Sequence, residues 1–193
     1  MNQFSSASAL KPPRVRRMSL EAFRQWKPAD GWKYVWDNGM ITKDKKMISE
    51  KQLFIITNLV RGFQQTKAYQ AGCEFMPEVE MPTLPNKIRI PDLSFYTPTQ
   101  LRAKHAGADT NRMSEFVVEV ISPSDSSYAI ELKLTEYFAI GVKTVWQIYP
   151  EQKMVKVYTS LRHVTICMDD DTCSAAPVLP EFALPVCQIF REP

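Results

Sequence analysis

The chain is poor in the residues from which zinc and thiol sites are usually built. Its 193 residues include 4 cysteines and 2 histidines. Cys73, Cys167, Cys173 and Cys187 show no CxxC spacing and have no histidine pair nearby, which argues against a zinc centre. Free thiols in a reducing compartment are expected instead. Long hydrophobic runs are also missing. Nothing approaches the ~20 apolar residues of a membrane span, and the N-terminus has no apolar signal core. These absences predict a cytoplasmic protein with no membrane partner. No internal repeat is present. The net charge of +3 permits nucleic-acid binding but does not argue for it. The basic clusters, Lys11, Arg14, Arg16 and Arg17 and then Lys43, Lys45 and Lys46, read first as solvated loops and second as a phosphate track.

What is there is ordinary for a globular domain. With 45% hydrophobic and 23% charged residues, the chain can bury a core and is expected to be ordered away from its ends. Residues 1–17 are rich in Ser, Ala, Pro and Arg and predict a flexible arm. Residues 18–193 are expected to form a single domain. Ser19 is placed to cap a helix over residues 20–26. Asp37-Asn38-Gly39 is a hairpin turn signal. Apolar residues recur at helical spacing from Ile48 to Phe63 and predict a helix over 48–67. Strands are predicted near 72–80 and at 87–96, and a polar loop over 98–114. A nearly all-apolar strand at 115–121, a helix at 126–140 ending at Gly141, and a strand at 143–149 compose a strand–helix–strand crossover. A strand at 153–160 and one or two more complete an α/β or α+β sheet with helices on its faces.

Three charged residues in this central stretch sit where apolar ones are expected. Glu119 lies between Val118 and Val120 in a run that reads as buried, and burying a carboxylate costs several kcal/mol unless it is paired or binds a metal. Its plain alternative is an edge position or a salt bridge. Asp92 shares an expected strand face with Ile88 and Ile90, so it should point at the core; alternatively, Asp after Pro91 is a turn residue. At about 100° per residue, Ile130, Leu134, Tyr137, Phe138 and Ile140 form one apolar arc. Lys133 falls inside it, while Glu131, Thr135 and Glu136 fall outside. A snorkelling lysine is the plain reading. Together the three compose a candidate divalent-metal site for phosphodiester cleavage. Asp92 and Glu119 supply hard oxygens suited to Mg²⁺ or Mn²⁺, and the carbonyl of Val120 is a candidate third ligand. Lys133 is placed to orient water or stabilise phosphorane charge.

At these residues the chain resembles a known family. Arg89-Ile90-Pro91-Asp92-Leu93-Ser94-Phe95, Val118-Glu119-Val120-Ile121-Ser122-Pro123-Ser124, Lys133 with Tyr137, and Gly141 to Trp146 carry the likeness. The flanks Met18 to Phe23 and Leu179 to Phe182 also fit. The resemblance is to the Uma-two-type restriction endonucleases of bacteria, within the PD-(D/E)XK nuclease superfamily, and covers about residues 18–190. It implies a restriction-endonuclease-like mixed central sheet flanked by helices, Mg²⁺-dependent cleavage of DNA, and catalytic roles for Asp92, Glu119 and Lys133. In the superfamily motif the lysine lies two residues after the acid, a slot held here by Ile121. The family draws it from the following helix, which points to Lys133. The family often has carboxylates where this chain has Val35, Met40, Ala129 and Tyr149, and a histidine where it has Lys51. Glu50 is a candidate substitute carboxylate.

Two other readings remain beside the endonuclease. One is a degenerate nuclease-fold protein that binds nucleic acid or a protein partner without cutting. The other is a structural domain in which the three charges form an internal salt-bridge network. Because each chain carries one site, a homodimer is expected for a cut through both strands.

Overall fold

The computed structural model describes residues 16–30, 32–46, 49–84, 87–107 and 113–192. The described chain begins with strand β1 (Arg16–Arg17), helix α1 (Leu20–Gln25) and a hairpin of β2 (Trp32–Asp37) and β3 (Met40–Lys46). Helices α2 (Glu50–Phe63) and α3 (Lys67–Gln70) precede β4 (Glu74–Pro77), β5 (Met81–Leu84), β6 (Lys87–Arg89) and β7 (Leu93–Tyr96). Then come α4 (Pro98–His105), β8 (Phe116–Val120), α5 (Ser127–Ala139), β9 (Thr144–Tyr149) and β10 (Met154–Ser160). The chain closes with β11 (His163–Cys167), β12 (Thr172–Ala175), β13 (Leu179–Pro185) and α6 (Val186–Ile189).

Local chemistry explains the main boundaries. Ser19 caps α1 by accepting from the Ala22 N–H at 3.1 Å. Ser49 and Gln52 form a reciprocal capping box on α2. Ser126 caps α5 at 3.2 Å, and Gly141 follows that helix at φ +95°, a conformation glycine adopts without strain. Asn38 and Gly39 both take positive φ, as the tight β2–β3 turn requires.

The centre of the fold is a six-stranded mixed sheet in the order β11-β10-β9-β8-β7-β4. Its β8–β9 pair is parallel and its other neighbours are antiparallel. Helix α5 connects the parallel pair, as the crossover pattern predicts. A five-stranded antiparallel sheet, β1-β3-β2-β6-β5, and a β12–β13 pair complete the framework. Side-chain alternation divides β8 between two cores. Phe116, Val118 and Val120 pack with Ile55, Ile56, Leu59 and Phe63 of α2. Val117 faces the other way, with Leu134 and Tyr137 of α5. Glu119, two residues on from Val117, therefore points to the α5 side.

Several expectations need correction. The strand predicted over 87–96 is two strands, broken at residues 90–92. β6 joins the five-stranded sheet and β7 the six-stranded one. Pro91 has no N–H to give a ladder. The stretch predicted as a loop over 98–114 contains α4; its Thr97–Gln100 capping box and Pro98 start a helix that buries no residue fully. The long helix stops at Phe63, and Thr66 caps the separate α3. Residues 1–15 of the expected arm and Ile48 lie outside the described residues. Arg16 and Arg17 pair with Ile41 and Met40.

Candidate active site

Asp92 sits where the chain passes between the two sheets. Its expected alignment with Ile88 and Ile90 does not occur, because those residues belong to a different strand or to the break. It is 1% exposed, and its Oδ2 accepts the Val120 N–H at 2.7 Å. β7 and β8 pair antiparallel with Leu93 opposite Val118. One step further along this register sets Asp92 opposite Glu119, and directly opposed antiparallel residues share a face.

Glu119 is 4% exposed on a strand flanked by β7 and β9, so it is not at a sheet edge. Two side chains of α5 meet its two oxygens. The Tyr137 hydroxyl donates to Oε1 at 2.6 Å. Lys133 Nζ stands 3.7 Å from Oε2, an ion-pair distance longer than a direct hydrogen bond. Lys133 and Tyr137 are four residues apart, hence neighbours on one helix face. Gln147 lies beside Glu119 in the parallel register and accepts from the Tyr149 hydroxyl at 3.1 Å. Burial pushes that hydroxyl up to about 12, so it is protonated and donating at neutral pH.

The carbonyl of Val120 belongs to the same neighbourhood. The N–H and C=O of one strand residue point to the same side, so this carbonyl opens on the side where Asp92 holds the N–H. It accepts from Gln52 Nε2 at 3.3 Å, and a carbonyl has a second lone pair. Glu119 and Lys133 line a cleft of about 390 Å³, together with Gln147, Lys87, Arg89 and Asp37. Val35 and Ala129 also line it. Asp92 and Glu50 do not. Glu50 is exposed at the start of α2, and Lys51 pairs with Glu151 at 3.5 Å.

The donor set matches a hard cation. Mg²⁺ is commonly held by one or two carboxylates with water in its remaining positions. Asp92 and Glu119 provide two, with a backbone carbonyl alongside. No group of three or more His, Cys, Asp or Glu residues able to hold an ion occurs among the described residues.

Sequence reasoning missed one charged cluster of this region. Glu136, expected outside the apolar arc of α5, is 2% exposed. Arg89 grips it at both oxygens, through Nε at 2.7 Å and Nη2 at 3.0 Å. Lys87 Nζ lies 2.8 Å from Oε1, and Thr83 Oγ1 donates to Oε2 at 3.2 Å. Lys87 also reaches Asp37 at 3.1 Å. Burial alone would push the Glu136 carboxyl up, but the Arg89 and Lys87 contacts outweigh it and hold the carboxyl below its ordinary range. The available signal was Arg89, a charge between Ile88 and Ile90 that required a buried partner.

The basic clusters are partly described. Lys43 pairs with Asp30 at 3.1 Å and lies over the Trp32 ring at 4.6 Å. Lys11 and Arg14, and the side chains of Lys45 and Lys46, lie outside the described residues. No described helix is long and apolar enough to cross a membrane.

Residues 20–187 match the sequence model of the Uma2 family, whose description reads "Putative restriction endonuclease". A solved structure from Anabaena variabilis ATCC 29413, described as a putative nuclease belonging to DUF820, superposes with a TM-score of 0.72 at 18% sequence identity. The match covers 90% of this chain and 97% of that one, and at this identity it establishes the shared fold. No curated protein matches the chain.

Proposed function

The chain belongs to the Uma2 family, and from that premise we propose that it is a Mg²⁺- or Mn²⁺-dependent DNA endonuclease that hydrolyses phosphodiester bonds as a homodimer. One observation carries this reading: the Asp92 carboxylate rests on the Glu119–Val120 peptide while Lys133 reaches Glu119 from the next helix. Asp92, Glu119 and the Val120 carbonyl would hold the ion. When bound, it would polarise a phosphate oxygen and lower the pKa of a coordinated water.

The remaining work falls to the side chains. Lys133 presents a cation beside Glu119, where it would hold the attacking water or offset charge on the phosphorane. Tyr137 fixes one oxygen of Glu119 and so sets the direction of the other. The neutral Tyr149 hydroxyl orients Gln147 at the cleft wall. With one such set per chain, a cut through both strands of a duplex requires two copies.

Calorimetric titration of Mn²⁺ into the wild type and Asp92→Ala tests the site without knowledge of the target sequence. Saturable binding in the wild type and none in the variant is expected, followed by Mg²⁺-dependent nicking of plasmid DNA by the wild type alone. Equal behaviour of the two proteins in both assays would sink the reading. A second reading, a nuclease-fold protein that binds nucleic acid or a protein without cutting, draws support from Val35 and Ala129 in the cleft, where the family often has carboxylates. It predicts DNA retention that ignores both metal and Asp92→Ala.

A further inference from the structure

Strand β11 forms one edge of the six-stranded sheet, and among the described residues it pairs with β10 alone. Natural edges are commonly guarded by proline, inward-facing charge or a covering segment. The β11 sequence His163-Val164-Thr165-Ile166-Cys167 has no proline and no lysine. Val164 and Ile166 oppose Tyr158 and Lys156 of β10, so they stand on the face that α5 covers further along the sheet. Tyr158 is buried there, but Val164 is 47% exposed and Ile166 52% exposed. Leu161 and Met168, just outside the strand, are exposed too.

We propose that β11 pairs antiparallel with β11 of a second copy of this chain, about a two-fold axis at Thr165, to make one sheet continuous through both subunits. The proposal deepens the dimer part of the reading above by naming its interface.

The edge is complementary to itself. A turn ends the strand at Cys167, since the Met168 N–H is held by Asp171 at 2.9 Å. The register that pairs every residue of β11 is therefore centred on Thr165. It sets Val164 opposite the partner's Ile166, and Ile166 opposite the partner's Val164. The exposed apolar pair thus covers itself twice, as a closed isologous contact demands. Charge follows the same symmetry. Arg162 precedes the strand and Asp169 and Asp170 follow it, all exposed. An antiparallel partner brings each Arg162 to the end that carries the partner's Asp169 and Asp170. Opposite charges at both ends favour this arrangement over a parallel one, which would bring like charges together.

Sedimentation velocity across the micromolar range tests the interface on the full chain. The wild type is expected to be a dimer. Ile166→Lys, at an exposed position, should keep the wild-type circular-dichroism spectrum and raise the dissociation constant by about 100-fold. Arg162→Glu should weaken the dimer, and adding Asp169→Arg and Asp170→Arg should restore it. Thr165→Cys, made with Cys187→Ser to remove the exposed native thiol, should cross-link two chains under mild oxidation, since directly opposed strand positions lie near disulfide range. A monomeric wild type overturns both the interface and the dimer. A dimer that survives Ile166→Lys and Arg162→Glu, with no Thr165→Cys cross-link, overturns the interface alone. Mn²⁺ binding by monomeric Ile166→Lys separates either failure from failure of the metal site.

Discussion

Helix α5 meets two buried carboxylates, and they are treated in opposite ways. Glu136, on the helix itself, is held by both nitrogens of one side of Arg89, by Lys87 and by Thr83, at 2.7 to 3.2 Å. Glu119, on the neighbouring strand, has a 2.6 Å bond from Tyr137 and Lys133 Nζ at 3.7 Å from its other oxygen. Two cations balance Glu136, Lys87 being shared with Asp37, and Glu136 does not line the cleft. Glu119 is fixed in direction, faces the cleft, and has Asp92 across the strand pair. Burial alone therefore does not separate the proposed ligand Glu119 from the ion-paired Glu136. The distinction lies in whether space is left beside the carboxylate.

The comparison is broken most severely by removing a proposed ligand on the Glu119 side. Asp92→Ala and Glu119→Gln are expected to lose Mn²⁺ binding altogether and to reduce Mg²⁺-dependent DNA cleavage to background. Calorimetry and plasmid nicking read the two effects, and a stable fold by circular dichroism should accompany them. On the Glu136 side the loss should be one of stability. Glu136→Ala leaves the buried Arg89 and the half-buried Lys87 without their common partner, a change that costs about 3–5 kcal/mol. Urea unfolding checks it, and metal affinity per folded molecule should hold. Loss of metal binding without loss of stability would reverse the assignment of the two carboxylates.

Smaller substitutions sharpen the contrast. Tyr137→Phe removes one hydrogen bond from Glu119 and should weaken Mn²⁺ by about 10–100-fold, the usual effect of losing a group that orients a ligand. Unchanged affinity would show that Glu119 is aimed by packing alone. The weakest effect concerns pH. The Glu136 carboxyl is depressed from its usual 4.5, so its contacts contribute stability that is full above that value and fades as pH falls through the depressed one. Glu136→Gln should lose this part of the acid dependence. Parallel stability curves for wild type and variant, from neutral pH downward, would refute the assignment.

Much of the central unit was legible along the chain. The apolar run of β8 and Gly141 announced a strand, a helix and a strand, because alternation and positive φ are local properties. Lys133 could be placed towards the sheet for the same reason, since an apolar arc contained it. Helix α4 was hidden because its residues carry no apolar periodicity; it depends on a cap and an N-terminal proline. The break at Asp92 was hidden because a strand that changes sheets looks, residue by residue, like one that continues. Glu136 was misplaced because helical geometry locates the faces of α5 but not the cations that β6 brings to one of them.

The sequence by itself determined the types of the elements and which side chains were out of place among apolar neighbours, since these follow from short-range sterics and periodicity. Tertiary structure alone decided which charge met which. Only strand register set Asp92 across from Glu119, only the packing of α5 delivered Tyr137 and Lys133 to that carboxylate, and only the second sheet supplied Arg89 and Lys87 to Glu136. Coulombic and hydrogen-bond energies depend on distances across the fold, and those distances are fixed when the layers pack.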